Sequence, residues 1–256
     1  MTRVDLNADM GESFGSWTMG NDAALLKIIT SANIACGGHA GDPDVMQKTF
    51  DLAAANQVGI GAHPGFADIA GFGRFRMHLP TQTLQNMIRY QVAAHVGMAA
   101  AFGHKVRHLK LHGALSNMCS EDIEMSKACY EAALSVAPDL IVMVLACTAQ
   151  QQAVEQMGCA WAGEIFADRA YNDDATLVDR SIPGAVIHDA NLAGQRIAHM
   201  VKSQSIITQS GKIIPAKIDT ICMHGDTPEA LEIATSVRAA LKADGVEIAA
   251  FEGRTA

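Results

Sequence analysis

The sequence lacks the features of several large protein classes. Its 19 Lys and Arg are outnumbered by 27 Asp and Glu, which gives a formal net charge of −8. No basic cluster is interleaved with aromatic residues, so we expect no nucleic-acid partner. The longest apolar run, residues 140–147, is too short to span a bilayer, and the N-terminus carries charges where a secretion signal needs an apolar stretch. These absences predict a cytoplasmic protein without a membrane-embedded segment.

Short metal and nucleotide motifs are missing as well. The six cysteines show no C-x-x-C spacing, and a disulfide framework is not expected in a chain of this size with a good core. Neither H-E-x-x-H nor H-x-x-E-H occurs, so no local spacing indicates a metal. The Walker A pattern G-x-x-x-x-G-K-[ST] is also absent, which excludes a P-loop nucleotide site.

What is present is a regular alternation of strand-like and helix-like segments. Hydrophobic residues make up 49% of the 256 residues and charged residues 18%, so a substantial core is expected. The alternation predicts a mostly parallel sheet, closed or open, within one domain over residues 1–256. The predicted strands are 3–8, 32–36, 58–62, 105–111, 140–146, 160–164, 219–223 and 246–249. The predicted long helices are 43–57, 84–102 and 227–241, the first and last entered through Asp42-Pro43 and Thr227-Pro228.

Three segments interrupt this alternation. The stretch 203–218 predicts a hairpin around residues 209–212. Residues 64–80 and 165–190 are long connections rich in Gly, Asp and Arg, and connections of this length are more often functional than structural.

Four histidines follow strand-like runs: His39, His63, His112 and His224. In α/β folds the carboxyl ends of parallel strands are where substrates bind and catalytic side chains collect, so we expect one shared site. His63 and His112 together with Asp9 form a plausible ligand set for a divalent metal. Metal-free binding of substrate or phosphate and purely structural hydrogen bonding are the open alternatives. His39 and His224 each precede a predicted helix, a position that suits an anion.

The first predicted strand carries Asp5, Asn7 and Asp9 on one face, with Glu12 just beyond. In a small barrel that face is the interior, where polar residues need water, a metal, a substrate or one another as partners. A buried hydrogen-bonded network is the structural alternative. Asp9 and Glu12, nearest to the end of the strand, are the best catalytic candidates.

Lys110 precedes His112 by two residues and lies on the same side of its strand. A Lys inside a barrel needs an anion, which is either a substrate carboxylate or phosphate, or a salt-bridge partner such as Asp5, Asp9 or Glu164. Glu164 is predicted to end the sixth strand, and arginines in the long connections are suited to gripping carboxylates. The predicted catalytic residues are Asp9, Glu12, Lys110 and Glu164. The predicted substrate- or phosphate-binding residues are His39, Arg74, Asp168, Arg169 and His224.

Six stretches of the sequence carry a resemblance to a known family: VDLNADMGESFGSW at 4–17, SANIACGGHAGDP at 31–43, IGAHPGFADIAGFGR at 60–74, HGAL at 112–115, EIFADRAYNDDATLVDR at 164–180 and ICMHGDTPEA at 221–230. They closely resemble the LamB/YcsF proteins. The resemblance implies an irregular (β/α)7 barrel of the glycoside hydrolase/deacetylase type. It also implies ATP-coupled opening of 5-oxoproline (pyroglutamate), a small-molecule substrate, to L-glutamate, as the A subunit of a 5-oxoprolinase acting with subunits B and C.

The resemblance implies ATP as co-substrate, with Mg accompanying it, and leaves open a protein-bound divalent metal, the subunit that binds ATP and any homo-oligomer. Three positions depart from the expected pattern: Ser116 replaces a Tyr, Phe75 separates Arg74 from Arg76, and Ala175 replaces a Gly. Two other functions stay open. One is a metal-dependent, deacetylase-like hydrolase of amides or carbohydrates, and the other is a non-catalytic binding subunit.

Overall fold

The structure is a computed structural model that describes residues 2–225 and 229–255. Its strands are β1 (Arg3–Met10), β2 (Ser31–Ala35), β3 (Gly59–His63), β4 (Val106–Lys110), β5 (Ile141–Leu145), β6 (Trp161–Phe166), β7 (Ser205–Ile207), β8 (Ile213–Pro215), β9 (Thr220–Met223) and β10 (Glu247–Ile248). Its helices are α1 (Asp22–Leu25), α2 (Pro43–Ala55), α3 (Thr81–Ala101), α4 (Gly113–Glu121), α5 (Ile123–Leu134), α6 (Ala149–Met157), α7 (Ala190–Ser203) and α8 (Ala230–Ala243).

Seven of these strands close into a parallel barrel within the described part of the chain. Strands β1 to β6 pair in sequence order, and β9 then pairs with both β6 and β1 to close the ring. The prediction of an irregular (β/α)7 barrel is confirmed. All eight predicted strands are present, with ends that differ by one or two residues. The difference that bears on the site is in β6, which continues to Phe166, so Glu164 lies inside this strand and does not end it.

The remaining strands lie outside the barrel. Strands β7 and β8 form the predicted antiparallel hairpin, with Ile206 opposite Ile214. The short β10 pairs with the first residues of β1. The predicted entry of the last helix at Thr227-Pro228 lies outside the described residues, which place α8 from Ala230 onward.

The helices form the outer layer, and five of the eight described helices begin after a residue whose side chain caps them. Asp42 begins α2 as predicted, because its side chain accepts hydrogen bonds from the backbone N–H groups of Asp44 and Val45. The same carboxylate accepts from the N–H of Gly15 and so ties the loop after β1 to this helix. Among the described residues, no helix is both long and apolar enough to cross a membrane.

The interior of the barrel contains a hydrogen-bonded polar network beneath the strand ends. The Asp5 carboxylate accepts from the hydroxyls of Ser31 and Thr30, and Asn33 donates to both Asn7 and Asp9. Asp5, Asn7, Asn33 and Ser31 are fully buried, and Asp9 almost so. Asp5 and Asn7 therefore belong to a buried hydrogen-bonded network, which was the structural alternative for the first strand. Asp9 lies higher, at the level of the strand ends.

Candidate active site

A cavity of about 220 Å³ opens at the carboxyl ends of the barrel strands. It is bordered by residues from the ends of β1, β4, β5 and β6 and by the segments that follow β1, β3, β4, β6 and β9. This is the face on which barrel enzymes carry their active sites. The charged and histidine side chains that line it are Asp9, Glu12, Arg74, Lys110, His112, Arg169, Asp179, Arg180 and His224.

Lys110 is the centre of a buried charged network at the base of the cavity. Its Nζ lies 2.8 Å from Oδ1 of Asp9, 3.1 Å from Oε1 of Glu164 and 2.9 Å from Sγ of Cys222. Glu164 also accepts a hydrogen bond from Asn7 and does not line the cavity. The sequence left open whether Lys110 binds an anionic ligand or forms a salt bridge. Lys110 forms the predicted salt bridges with Asp9 and Glu164, and it also borders the cavity.

The charges of this network follow from its contacts. Burial alone would raise the pKa of Asp9, but the neighbouring His63 and Lys110 outweigh burial and hold this pKa well below its usual value. Burial would lower the pKa of Lys110, but Asp9, Cys222 and Glu164 raise it well above its usual value. For Glu164, burial dominates and raises the pKa. Lys110 and Asp9 are therefore a charged pair, and Glu164 is the carboxyl that protonates more readily.

Asp168 and His224 form a second pair at the side of the cavity. Nδ1 of His224 lies 2.9 Å from Oδ1 and 2.7 Å from Oδ2 of Asp168, and Phe166 stacks against the imidazole. Burial would raise the pKa of Asp168, but His224 lowers it below the usual value. Because an ionised carboxylate only accepts hydrogen bonds, Nδ1 carries the proton, and Nε2 is the nitrogen that is able to exchange one.

The other three strand-end histidines lie together beside Glu12. Nδ1 of His112 is 3.0 Å from Nε2 of His63, and the ring of His39 stacks on that of His112 at 3.5 Å. Oε1 of Glu12 lies 3.1 Å from Nε2 of His39 and 3.5 Å from Nδ1 of His112. Burial, reinforced by the neighbouring histidines, lowers the pKa of His39 and His112 well below the usual value, so both are neutral. Together with His63 they form a buried group of potential metal ligands.

Three arginines border the cavity: Arg74, Arg169 and Arg180. Burial lowers the pKa of Arg169 to about 10, with Arg180 adding to the effect, so the guanidinium stays charged at neutral pH. Arg169 also donates to the carbonyl of Val178 and thereby holds the connection between β6 and α7 in place. Arg180 was not singled out from the sequence, although it ends one of the matching stretches.

The predicted site residues are brought to one end of the barrel, but not all of them to the cavity. Asp9, Glu12, Arg74, Lys110, His112, Arg169 and His224 line it. Asp168 acts on it through His224, and His63 lies behind His112. The imidazole of His39 is buried in the histidine cluster and hydrogen-bonded to Glu12, and its role in binding substrate or phosphate stays a prediction.

This chain is similar along nearly its whole length to a curated protein and to a solved structure. The chain is 66% identical over 252 residues to the 5-oxoprolinase A subunit of Ruegeria pomeroyi, covering 98% of this chain and 100% of the relative. The crystal structure of the lactam utilization protein from Thermus thermophilus superposes with a TM-score of 0.91 at 37% identity, covering 98% of this chain and 100% of that one.

A more distant structure shares only the fold. The family 4 carbohydrate esterase from Streptomyces lividans matches with a TM-score of 0.50 at 10% identity, covering 96% of this chain and 91% of that one. The LamB/YcsF family model matches residues 4–256. With nearly the whole chain matched, this protein belongs to the LamB/YcsF family.

Proposed function

We propose that the chain is the A subunit of an ATP-dependent 5-oxoprolinase, which opens the lactam of 5-oxoproline to L-glutamate together with subunits B and C. The observation that carries the proposal is the composition of one small cavity. Three arginines and Lys110 supply positive charge for a small acid, while Asp9, Glu12 and His224 supply groups for acid–base chemistry. The name of the Ruegeria relative supports the same activity.

The proposed reaction makes specific demands on the site. The lactam amide is resonance-stabilised, so its carbonyl oxygen must be polarised, water must be delivered and the leaving nitrogen must be protonated. Transfer of the γ-phosphoryl group of ATP to the lactam oxygen releases ADP and makes the carbon more electrophilic. Attack of one water on this carbon gives a tetrahedral adduct, and its carbon–nitrogen bond breaks as the nitrogen takes up a proton, which leaves an acyl phosphate of glutamate. A second water then hydrolyses this acyl phosphate to L-glutamate and phosphate.

The contacts suggest which side chain meets each demand. The three arginines hold the substrate carboxylate and the transferred phosphoryl group. Lys110, kept charged by Asp9, stabilises negative charge that develops on the lactam oxygen. His224, oriented by Asp168, takes a proton from the attacking water through Nε2 and passes it to the leaving nitrogen. Glu164 and Asn7 support Lys110 from below the cavity.

The test is a reconstitution of the proposed complex. We expect the purified chain to show little or no turnover alone, and to release glutamate when subunits B and C, 5-oxoproline, ATP and Mg are added. Omitting ATP or any one subunit should abolish release. If the full mixture with all three folded subunits produces no glutamate, the proposal is wrong.

A second candidate function is favoured by the buried group of Glu12, His39, His63 and His112. A metal-dependent hydrolase that removes acyl groups from sugars or amides would use such a group. It would act without ATP and without partner subunits. Hydrolysis of an acetylated sugar or amide by the isolated chain, abolished by a chelator and restored by metal, would support this function over the first.

A further inference from the structure

His63 and His112 have hydrogen bonds that determine where their protons lie. Nδ1 of His63 is 2.8 Å from the backbone carbonyl oxygen of Lys110, and Nε2 of His112 is 2.9 Å from that of Phe72. A carbonyl oxygen only accepts hydrogen bonds, so both of these nitrogens carry hydrogen. The opposite nitrogens, Nε2 of His63 and Nδ1 of His112, are therefore the ones whose lone pairs are available to bind a cation.

These two nitrogens face each other at 3.0 Å in a buried environment. Two acceptors at this distance repel each other unless a positive species bridges them. Two carboxylates flank the pair, since Oε1 of Glu12 is 3.5 Å from Nδ1 of His112 and Oδ2 of Asp9 is 3.4 Å from Nε2 of His63. The arrangement therefore calls for a cation, which is either a shared proton or a metal ion.

We infer that Glu12, His63 and His112 are the ligands of a divalent metal ion such as zinc or manganese. Metal–ligand bonds of about 2.0–2.1 Å in a tetrahedral site place neighbouring ligand atoms about 3.3 Å apart. The 3.0 Å and 3.5 Å separations within this set match that spacing. Both histidines donate their other N–H to a backbone carbonyl, as metal-bound histidines commonly do.

A metal ion held by Glu12, His63 and His112 would keep one coordination position open toward the cavity. Glu12 and His112 line the cavity wall, so a fourth position on the metal faces the space in which a small molecule binds. Three protein ligands with one open position are typical of catalytic rather than structural zinc sites.

His39 and Asp9 flank this set without completing it. The ring of His39 is parallel to that of His112, at an interplanar angle of 2°, so their in-plane lone pairs do not converge on one ion. His39 instead donates from Nε2 to Glu12 and orients this carboxylate. Asp9 forms a salt bridge with Lys110 through Oδ1, and only its Oδ2 lies near the set, at 3.4 Å from Nε2 of His63. Glu12 thus takes the place that Asp9 has in the sequence-based ligand set.

Two substitutions remove a ligand nitrogen while keeping the hydrogen bond to the backbone. His63→Asn retains a side-chain amide N–H at the position of Nδ1, next to the Lys110 carbonyl. His112→Gln retains one at the position of Nε2, next to the Phe72 carbonyl. His199→Gln, on the exposed face of α7, is the matched control. Thermal melting and circular dichroism establish that each variant is folded.

The experiment measures metal binding and requires neither turnover nor partner subunits, so its outcome is independent of the proposed reaction. The chelated chain is titrated with Zn²⁺ or Mn²⁺, and its metal content is measured by mass spectrometry after dialysis. Co²⁺ absorption reports the coordination. We expect one metal per chain in the wild type and in His199→Gln, and binding weakened by more than about 100-fold in the two ligand variants.

Two results would overturn the inference. One is stoichiometric binding that persists in folded His63→Asn and His112→Gln variants. The other is a wild-type chain that takes up no metal while nitrogen NMR shows one proton shared between His63 and His112.

Discussion

Nδ1 of His224 lies 2.7 Å from Oδ2 of Asp168, although 56 residues separate the two in the sequence. Asp168 is almost fully buried, whereas His224 borders the cavity. The carboxylate fixes the tautomer of the imidazole and leaves Nε2 as the nitrogen that exchanges a proton. Under the proposed function, Asp168 is a positioning residue and His224 is the residue that contacts the substrate.

Asp168→Asn and His224→Gln should each lower kcat of the assembled complex by about 10²–10⁴-fold, because proton transfer loses its oriented imidazole. KM for 5-oxoproline should change little, because neither substitution removes a cationic group that would hold the substrate. Glutamate release with subunits B and C present is the measurement, and His188→Gln, at an exposed histidine, is the control. Unaltered activity in both variants would contradict these roles and favour the non-catalytic alternative.

Arg180→Gln should mainly weaken substrate binding. A charge-assisted hydrogen bond contributes about 1.5–3 kcal/mol, so we expect KM for 5-oxoproline or ATP to rise by about 10–100-fold with a smaller change in kcat. Arg89→Gln, on α3 and away from the cavity, should have no effect. A fall in kcat at constant KM would instead assign Arg180 to the chemical step.

Much of the fold was predictable because strand and helix periods are local properties of the sequence. The same strand period also places two further polar residues in the barrel interior. His108, Lys110 and His112 alternate, as do Ser31 and Asn33, so His108 and Asn33 were readable as interior residues. His108 indeed bonds to Asn33 inside the barrel.

Other features of the site depend on tertiary structure and could not be predicted from local pattern. Whether Glu164 borders the cavity or lies beneath Lys110 depends on where β6 ends and on its register with β5, in which Leu145 pairs with Glu164. The resemblance predicted Gly at position 175, and the structure gives the reason, since Ala175 has φ of 68°. The resemblance thus indicated the position that needs a left-handed backbone, and the structure shows its φ angle.

Asp5 should make stability depend on pH between about 4 and 6. Burial, partly offset by hydrogen bonds from Thr220, Thr30 and Ser31, raises its pKa from 3.8 to about 6. In this window the native state binds more protons than the unfolded state, so the contribution of Asp5 to stability falls as pH rises. The two pKa values differ by an amount equivalent to about 3 kcal/mol.

The measurement for Asp5 is the free energy of unfolding from urea titrations at several pH values, for the wild type and for Asp5→Asn. We expect the wild type to lose stability relative to Asp5→Asn as pH rises from about 4 to about 6, with little further change above about 7. A pH-independent difference between the two proteins would show that Asp5 does not titrate in this range.

Gly61 should be intolerant of even one methyl group. A Cβ at this position would overlap the imidazole of His108, which crosses the barrel over the glycine. We expect Gly61→Ala to destabilise the protein by about 1–3 kcal/mol through overpacking. Gly97→Ala is the control, because Gly97 lies within α3 with nothing within 4 Å of an added Cβ. That change should stabilise the protein by about 0.5–1 kcal/mol, so the two substitutions should have opposite signs.

Lys110→Met should be the most destabilising of these changes. Removing the ammonium leaves Asp9 and Glu164 buried without their cation, and breaking a buried ion pair from one side costs about 3–5 kcal/mol. The triple variant Lys110→Met, Asp9→Asn, Glu164→Gln removes all three charges and should regain most of this loss. Lys127→Met breaks an exposed pair with Glu124 and should cost less than about 0.5 kcal/mol. Chemical denaturation measures all four proteins, and a triple variant no more stable than Lys110→Met would show that lost packing, rather than unpaired charge, sets the cost.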